Sequence, residues 1–185
     1  MEILKLGIIG AGFVAAFHCR AMMQVRGVEV AGITSRTRAS AGRLSTFVRD
    51  NDLGDGTVYD SISDMAPHVD AIAIYAPNFV RLAHVEEIAA AVKQGANLKG
   101  VICEKPLARN LAEGRRIVSL IEEAGLNNAY FENQIFMKPI RSKRPNCVTN
   151  LITNSSRQTT FWPICAPALT FGEKPFRLSR IEIGD

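Results

Sequence analysis

Two short stretches place ligand-holding or reactive residue types where chemistry would need them. The first is GIIGAGFVAA, in which Gly10, Gly12 and Ala15 stand at G-x-G-x-x-A spacing. Gly10 permits a tight turn, Gly12 lets backbone approach a bound group, and Ala15 lets a helix pack closely on a strand. A helix opening here offers free N–H groups and the positive end of its dipole, which suit a pyrophosphate. The second is GVICEKPLARN, Gly100 to Asn110, where an apolar run ends sharply in Glu104-Lys105-Pro106. A lysine so placed can polarise a carbonyl or exchange a proton with a hydroxyl. Glu104 can hold that lysine by hydrogen bonding or contact a ribose. Pro106 fixes the direction of the turn, and a Lys-Pro bond can be cis at modest cost.

A third stretch bears on which dinucleotide the glycine motif would take. NAD sites usually carry Asp or Glu after the second strand, for the ribose 2′-OH. Here the residues are ITSRTR, Ile33–Arg38, with no carboxylate. Thr34 and Ser35 supply hydroxyls, and Arg36 and Arg38 supply charge. Arginine holds a 2′-phosphate through charge-assisted hydrogen bonds, so NADP is favoured and NAD stays possible. The bland reading is that Arg36 and Arg38 are solvated loop charges.

These stretches need elements to position them, and the hydrophobic period supplies the elements. Ile3–Gly10 is a short apolar strand, Phe13–Gln24 a helix closed by Gly27, and Val28–Thr34 a strand. Ala41, Leu44, Phe47 and Val48 recur at helical spacing, Thr57–Asp60 is a short strand, and Ser61 with Asp64 is a capped turn. Asp70–Ala76 is a strongly apolar strand. Asn78 can cap the following helix, whose stripe is Val85, Ile88, Ala89 and Val92 and which Gly95 ends. GVICE is the next strand, Asn110 with Glu113 opens a helix with the stripe Ile117, Val118 and Ile121, and Gly125 stops it. Ala129–Phe136 is a last strand. Apolar strands alternating with amphipathic helices predict an α/β fold, a doubly wound parallel sheet of the Rossmann type. The glycine motif then falls at the first strand-to-helix turn, the context that gives it weight. Glu104 and Lys105 fall at the carboxyl edge, where ligands bind in open α/β sheets.

Composition narrows the function classes. The chain has 185 residues, of which 47% are hydrophobic, and a formal charge of +4. Residues 1–140 hold 15 basic and 15 acidic side chains, so the excess lies in the tail. Scattered tail charges with Trp162 as the one tryptophan do not make a nucleic-acid surface. The run LGIIGAGFVAAF is broken by Gly7, Gly10 and Gly12 and is far short of the roughly 20 apolar residues a membrane helix needs. Neither a membrane nor a nucleic-acid partner is expected. Cys19, Cys103, Cys147 and Cys165 show no metal-ligand spacing, and the expected location is a reducing cytoplasm.

KLGIIGAG, Ala76-Pro77-Asn78 and CEKPLARN, in this order, resemble the N-terminal half of the Gfo/Idh/MocA oxidoreductases over roughly Leu4 to Pro139. The resemblance implies a nicotinamide-dependent enzyme acting on sugars, inositols and related polyols. It implies that Gly10, Gly12, Phe13 and Val14 line the pyrophosphate, and that Ser35 and Arg36 meet the adenosine ribose or its phosphate. Pro77 and Asn78 would edge the cofactor cleft, with Glu104 and the catalytic Lys105 beside the nicotinamide. Family members often carry histidine three residues after the Pro-Asn asparagine. Here that slot is Arg81, with His84 one turn later, and neither receives a role; His18 is read as a packing or surface residue.

The family's second domain, which binds substrate, has no counterpart in residues 140–185. That segment holds no histidine and shows no sustained hydrophobic period. The expected organisation is a dinucleotide-binding domain over 1–139 and an atypical tail over 140–185. Its final stretch, FRLSRIEIGD, weakly resembles the entry into a second domain. Two readings stand: part of a dehydrogenase, inactive or weakly active alone, or a short non-catalytic dinucleotide-binding or regulatory protein. A small polyol or sugar substrate is expected only if a second domain is supplied.

Overall fold

Among the described residues the alternation of hydrophobic periods is realised as six strands and five helices. A computed structural model describes residues 3–132. In chain order the elements are β1 (Leu4–Ile9), α1 (Phe13–Met22), β2 (Val28–Thr34), α2 (Arg38–Asp50), β3 (Thr57–Val58) and α3 (Ile62–Met65). A 3-10 turn (Ala66–His68) leads to β4 (Ala71–Ile74), α4 (Asn78–Lys93), β5 (Gly100–Glu104), α5 (Leu111–Glu123) and β6 (Asn127–Phe131). The strands form one parallel sheet in the order β3-β2-β1-β4-β5-β6. That is the doubly wound order, with its reversal between β1 and β4.

Each face of the sheet carries its own core. Ile8, Val30 and Ile33 pack with Ala15 and Cys19 of α1 and with Ala41, Leu44 and Val48 of α2. Ile9, Ile72, Ile74 and Val101 pack with α3, α4 and α5 through Met65, Val85, Ile88, Ile117 and Ile121. Neighbours Ile8 and Ile9 enter opposite cores, as the two-residue period of a strand requires. All four residues of β4 are buried, which fits a central strand covered on both sides.

Several expected caps are present. Ser61 Oγ accepts from the Asp64 amide at 2.9 Å, and Asn110 Oδ1 accepts from the Glu113 amide at 3.0 Å. The Glu113 carboxylate does not close the box on Asn110; it turns to Arg109, accepting from Nε at 2.9 Å. Two expectations are corrected. Asn78 is the first helical residue of α4 and Pro77 holds the cap position, because the extended Pro77 (ψ 151°) places the helix start one residue earlier. The last strand starts at Asn127 rather than Ala129. Gly100 has no Cβ, and one built there would lie 2.9 Å from the Asn127 carbonyl, so β5 and β6 approach closely enough to draw two polar residues into the ladder. The boundary expected at residue 139 and the reading of the tail lie outside the described residues.

Candidate functional site

The carboxyl edge on either side of the switch point gathers the sequence's chemical stretches. β1 leads into Gly10, whose φ of +93° belongs to glycine. A Cβ there would sit 2.8 Å from the Ala76 amide nitrogen, so this turn packs directly on the turn that follows β4. Gly10 N–H donates to the Thr34 carbonyl at 2.8 Å, and Ala11 N–H donates to Ser35 Oγ at 3.2 Å. Ser35 therefore anchors the glycine loop, and Ser40 Oγ lies 3.1 Å from it in turn.

Gly12 caps α1 with an extended backbone and no side-chain hydrogen bond, and the first turn of α1 holds no acid. A Cβ built on Gly12 meets nothing within 4 Å. Phe13 and Val14 follow it, 81% and 37% exposed, while Ala15 is fully buried against the sheet. The result is an uncapped helix N-terminus with open space before it. Its amides and dipole favour an anion, and the residues present fit a pyrophosphate.

At the end of β2 the two arginines differ. Arg36 is exposed, and no hydrogen bond or ion pair engages it among the described residues. Arg38 begins α2 and forms an exposed ion pair with Asp60 at the end of β3. That carboxylate offsets the charge expected of Arg38 at an adenosine end.

The Glu104-Lys105-Pro106 corner closes β5, and the Lys105-Pro106 peptide is cis. Glu104 Oε2 accepts from the Lys105 backbone N–H at 2.8 Å, while Oε1 lies 2.7 Å from His18 Nε2. Glu104 thus holds the main chain of Lys105. The Lys105 side chain is exposed and has no hydrogen bond or ion pair among the described residues. Pro77 and Asn78 border the corner from the β4 side, and Asn78 Nδ2 donates to the Ala108 carbonyl at 3.4 Å.

His18, read from the sequence as a packing or surface residue, is a packing residue and also meets Glu104. Its ring stacks between Tyr75 (centroids 4.5 Å apart, planes at 8°) and Phe131 (4.6 Å, 26°). A signal was present. His18 stands three residues after Ala15 and four before Met22, on the same helical face as the buried stripe.

Two thiols lie beneath this edge and are chemically quiet. Burial pushes Cys19 up to about 11 and Cys103 up to about 12. A raised thiol stays protonated at pH 8, and the thiolate is the nucleophile. Iodoacetamide at pH 8 is expected to spare both in the folded protein and to label both after denaturation, as read by peptide mass mapping. Labelling of either in the folded protein at the rate of a free cysteine peptide would contradict their burial.

Among the described residues no helix is long and apolar enough to cross a membrane, and no group of three or more His, Cys, Asp or Glu could hold a metal.

Comparison with known proteins agrees with this geometry. The model of the Gfo/Idh/MocA oxidoreductase family, NAD-binding Rossmann fold, matches residues 4–131. A 1,5-anhydro-D-fructose reductase of Ensifer adhaerens is 33% identical over 124 residues, covering 66% of this chain and 34% of that protein. An inositol 2-dehydrogenase of Paracoccus denitrificans is 32% identical over 123 residues, again 66% of this chain and 34% of the relative. The chain thus spans about a third of the length of these relatives. The solved WlbA dehydrogenase of Bordetella pertussis, in complex with NADH and UDP-GlcNAcA, shares the fold at TM-score 0.67 and 19% identity, over 82% of this chain and 44% of that one. With the glycine turn, the uncapped helix and the strand-end lysine already located, the match assigns the chain to the Gfo/Idh/MocA oxidoreductases, whose NAD-binding Rossmann domain it carries.

Proposed function

We propose that this chain binds a nicotinamide dinucleotide across the carboxyl edge of its sheet, with NADP preferred over NAD. The observation that carries the binding reading is the uncapped N-terminus of α1 behind Gly12, where a Cβ would meet nothing. Backbone amides of Phe13 and Val14 are the donors for the pyrophosphate, and Pro77 and Asn78 border the cleft. When bound, the dinucleotide supplies the hydride acceptor or donor. Lys105, exposed and with its main chain held by Glu104, is the residue proposed to carry a proton to or from the substrate oxygen. Sugars, inositols and other polyols are the proposed substrates of the complete family architecture. Because the chain covers about a third of its relatives, we propose weak or no turnover by these residues alone.

With Arg38 paired to Asp60, the NADP preference rests on Arg36. Titration of NADPH and NADH, followed by their fluorescence, tests both points. Absence of binding for either at millimolar cofactor would remove the dinucleotide reading. Arg36→Glu is expected to weaken NADPH by about tenfold or more, from the loss of one charge-assisted hydrogen bond and the gain of repulsion. NADH should change far less. Equal losses for both would remove the role given to Arg36.

A further inference from the structure

The chain between β5 and α5 belongs to no strand or helix, so its carbonyls need donors from elsewhere. They find them on α4. Arg81, 1% exposed and among the largest fully buried side chains, donates through Nη1 to the carbonyls of Pro106 and, at 3.1 Å, Leu107. Its Nη2 donates at 2.9 Å to the Ala76 carbonyl at the end of the β4 turn. Asn78, three residues earlier on the same helical face, reaches the next carbonyl, Ala108. Three consecutive carbonyls after the lysine are thus held by two side chains of the first turn of α4. Tyr130 of β6 also shares a hydrogen bond with the Leu107 backbone.

We propose that Arg81 is a positioning residue: its guanidinium fork ties the Glu104-Lys105-Pro106 corner to the Ala76-Pro77-Asn78 turn and so fixes where Lys105 meets the nicotinamide end of the cleft. The inference rests on the dinucleotide reading above for its last clause. The chemistry suits arginine. A planar fork spreads five donors over three nitrogens in fixed geometry and so spans carbonyls of two separate loops, whereas an ammonium offers three donors from one atom. Desolvation lowers the Arg81 pKa, and the Glu104 carboxylate opposes that shift. A helix-surface residue would give none of this; the observed side chain is enclosed and spans both loops.

Arg81→Met and Arg81→Lys test it on two arms. The first arm needs no ligand: amide hydrogen exchange by mass spectrometry. Both variants are expected to exchange about tenfold faster across residues 104–109, while β1 and β4 amides keep their wild-type protection. Unchanged exchange at 104–109 overturns the clamp, and uniformly faster exchange reduces Arg81 to a general core residue. Should the methionine variant fail to fold, the lysine variant carries the arm alone; wild-type behaviour of Arg81→Lys overturns the need for the fork. The second arm compares NADPH with 2′-phospho-ADP-ribose, which lacks the nicotinamide. Arg81→Met is expected to lose about tenfold in NADPH affinity and to keep its affinity for the fragment, since misplacement at one end costs only that end. Equal losses on both ligands overturn positioning at the nicotinamide end. If the wild type binds neither ligand, the dinucleotide reading and the nicotinamide clause fall together, and hydrogen exchange still decides the clamp between the two loops.

Discussion

Gly12→Asp is expected to fold as well as the wild type and to lose about a hundredfold in dinucleotide affinity, the cost of placing like charges together without screening. The folding half follows from local geometry. Gly12 occupies the cap position of α1 with φ −89° and ψ −166°, a backbone any residue adopts, and a Cβ there meets nothing within 4 Å. Aspartate is among the best cap residues, because its carboxylate accepts from the first-turn amides and faces the positive end of the dipole. Those are the same amides assigned to the pyrophosphate, so the carboxylate both occupies and repels. Thermal unfolding should therefore stay level or rise while NADPH titration collapses. Wild-type affinity in a folded Gly12→Asp protein would mean that the dinucleotide does not lie against α1.

Gly10→Ala is expected to fail in the opposite way, by loss of stability. The φ of +93° costs an L-residue about 1–2 kcal/mol. The added Cβ would stand 2.8 Å from the Ala76 nitrogen and 3.1 Å from its Cα, both backbone atoms that cannot swing aside. Overpacking of that kind adds about 1–3 kcal/mol. Against a total stability of about 5–15 kcal/mol, the change should lower the melting temperature by roughly 10 °C or more, and Gly10→Val should lower it further. A melting temperature within two or three degrees of wild type would show that the turn relaxes. The two glycines of one motif thus separate by assay: one variant folds and does not bind, the other is limited by folding.

Much of this was legible in the sequence because it depends on local rules. The strand and helix alternation, the glycine turn and the strand-end lysine are set by period, by φ and by chain order, each readable over a few residues. What was not legible depends on side chains meeting across the sheet. Arg81 gives no local sign that it will be enclosed, since two of its three carbonyl partners lie 25 and 26 positions away. His18 pairs with a residue 86 positions on, and only the stripe it shares with Ala15 and Met22 hinted at burial. Arg38 looked like a free cation because Asp60 is remote in sequence and close only through the β2–β3 pairing. The start of α4 slipped by one residue because asparagine is the favoured cap residue, whereas here Pro77 holds the cap and Asn78 the first helical position.

The His18–Glu104 pair also makes α1 a ruler. One end of the helix, at Gly12, is the proposed phosphate end; six residues on, the ring of His18 meets the last residue of β5. At 1.5 Å per residue that interval is about 9 Å, and it is written into residue count. A single residue inserted between Val14 and His18 would turn the ring by about 100° and carry it off Glu104, although composition and hydropathy would scarcely change. The same insertion in the turn between α1 and β2 would leave the interval intact. Length is therefore a more stringent constraint on this stretch of the chain than identity, and the gauge it sets runs from the glycine turn to the strand end that bears Lys105.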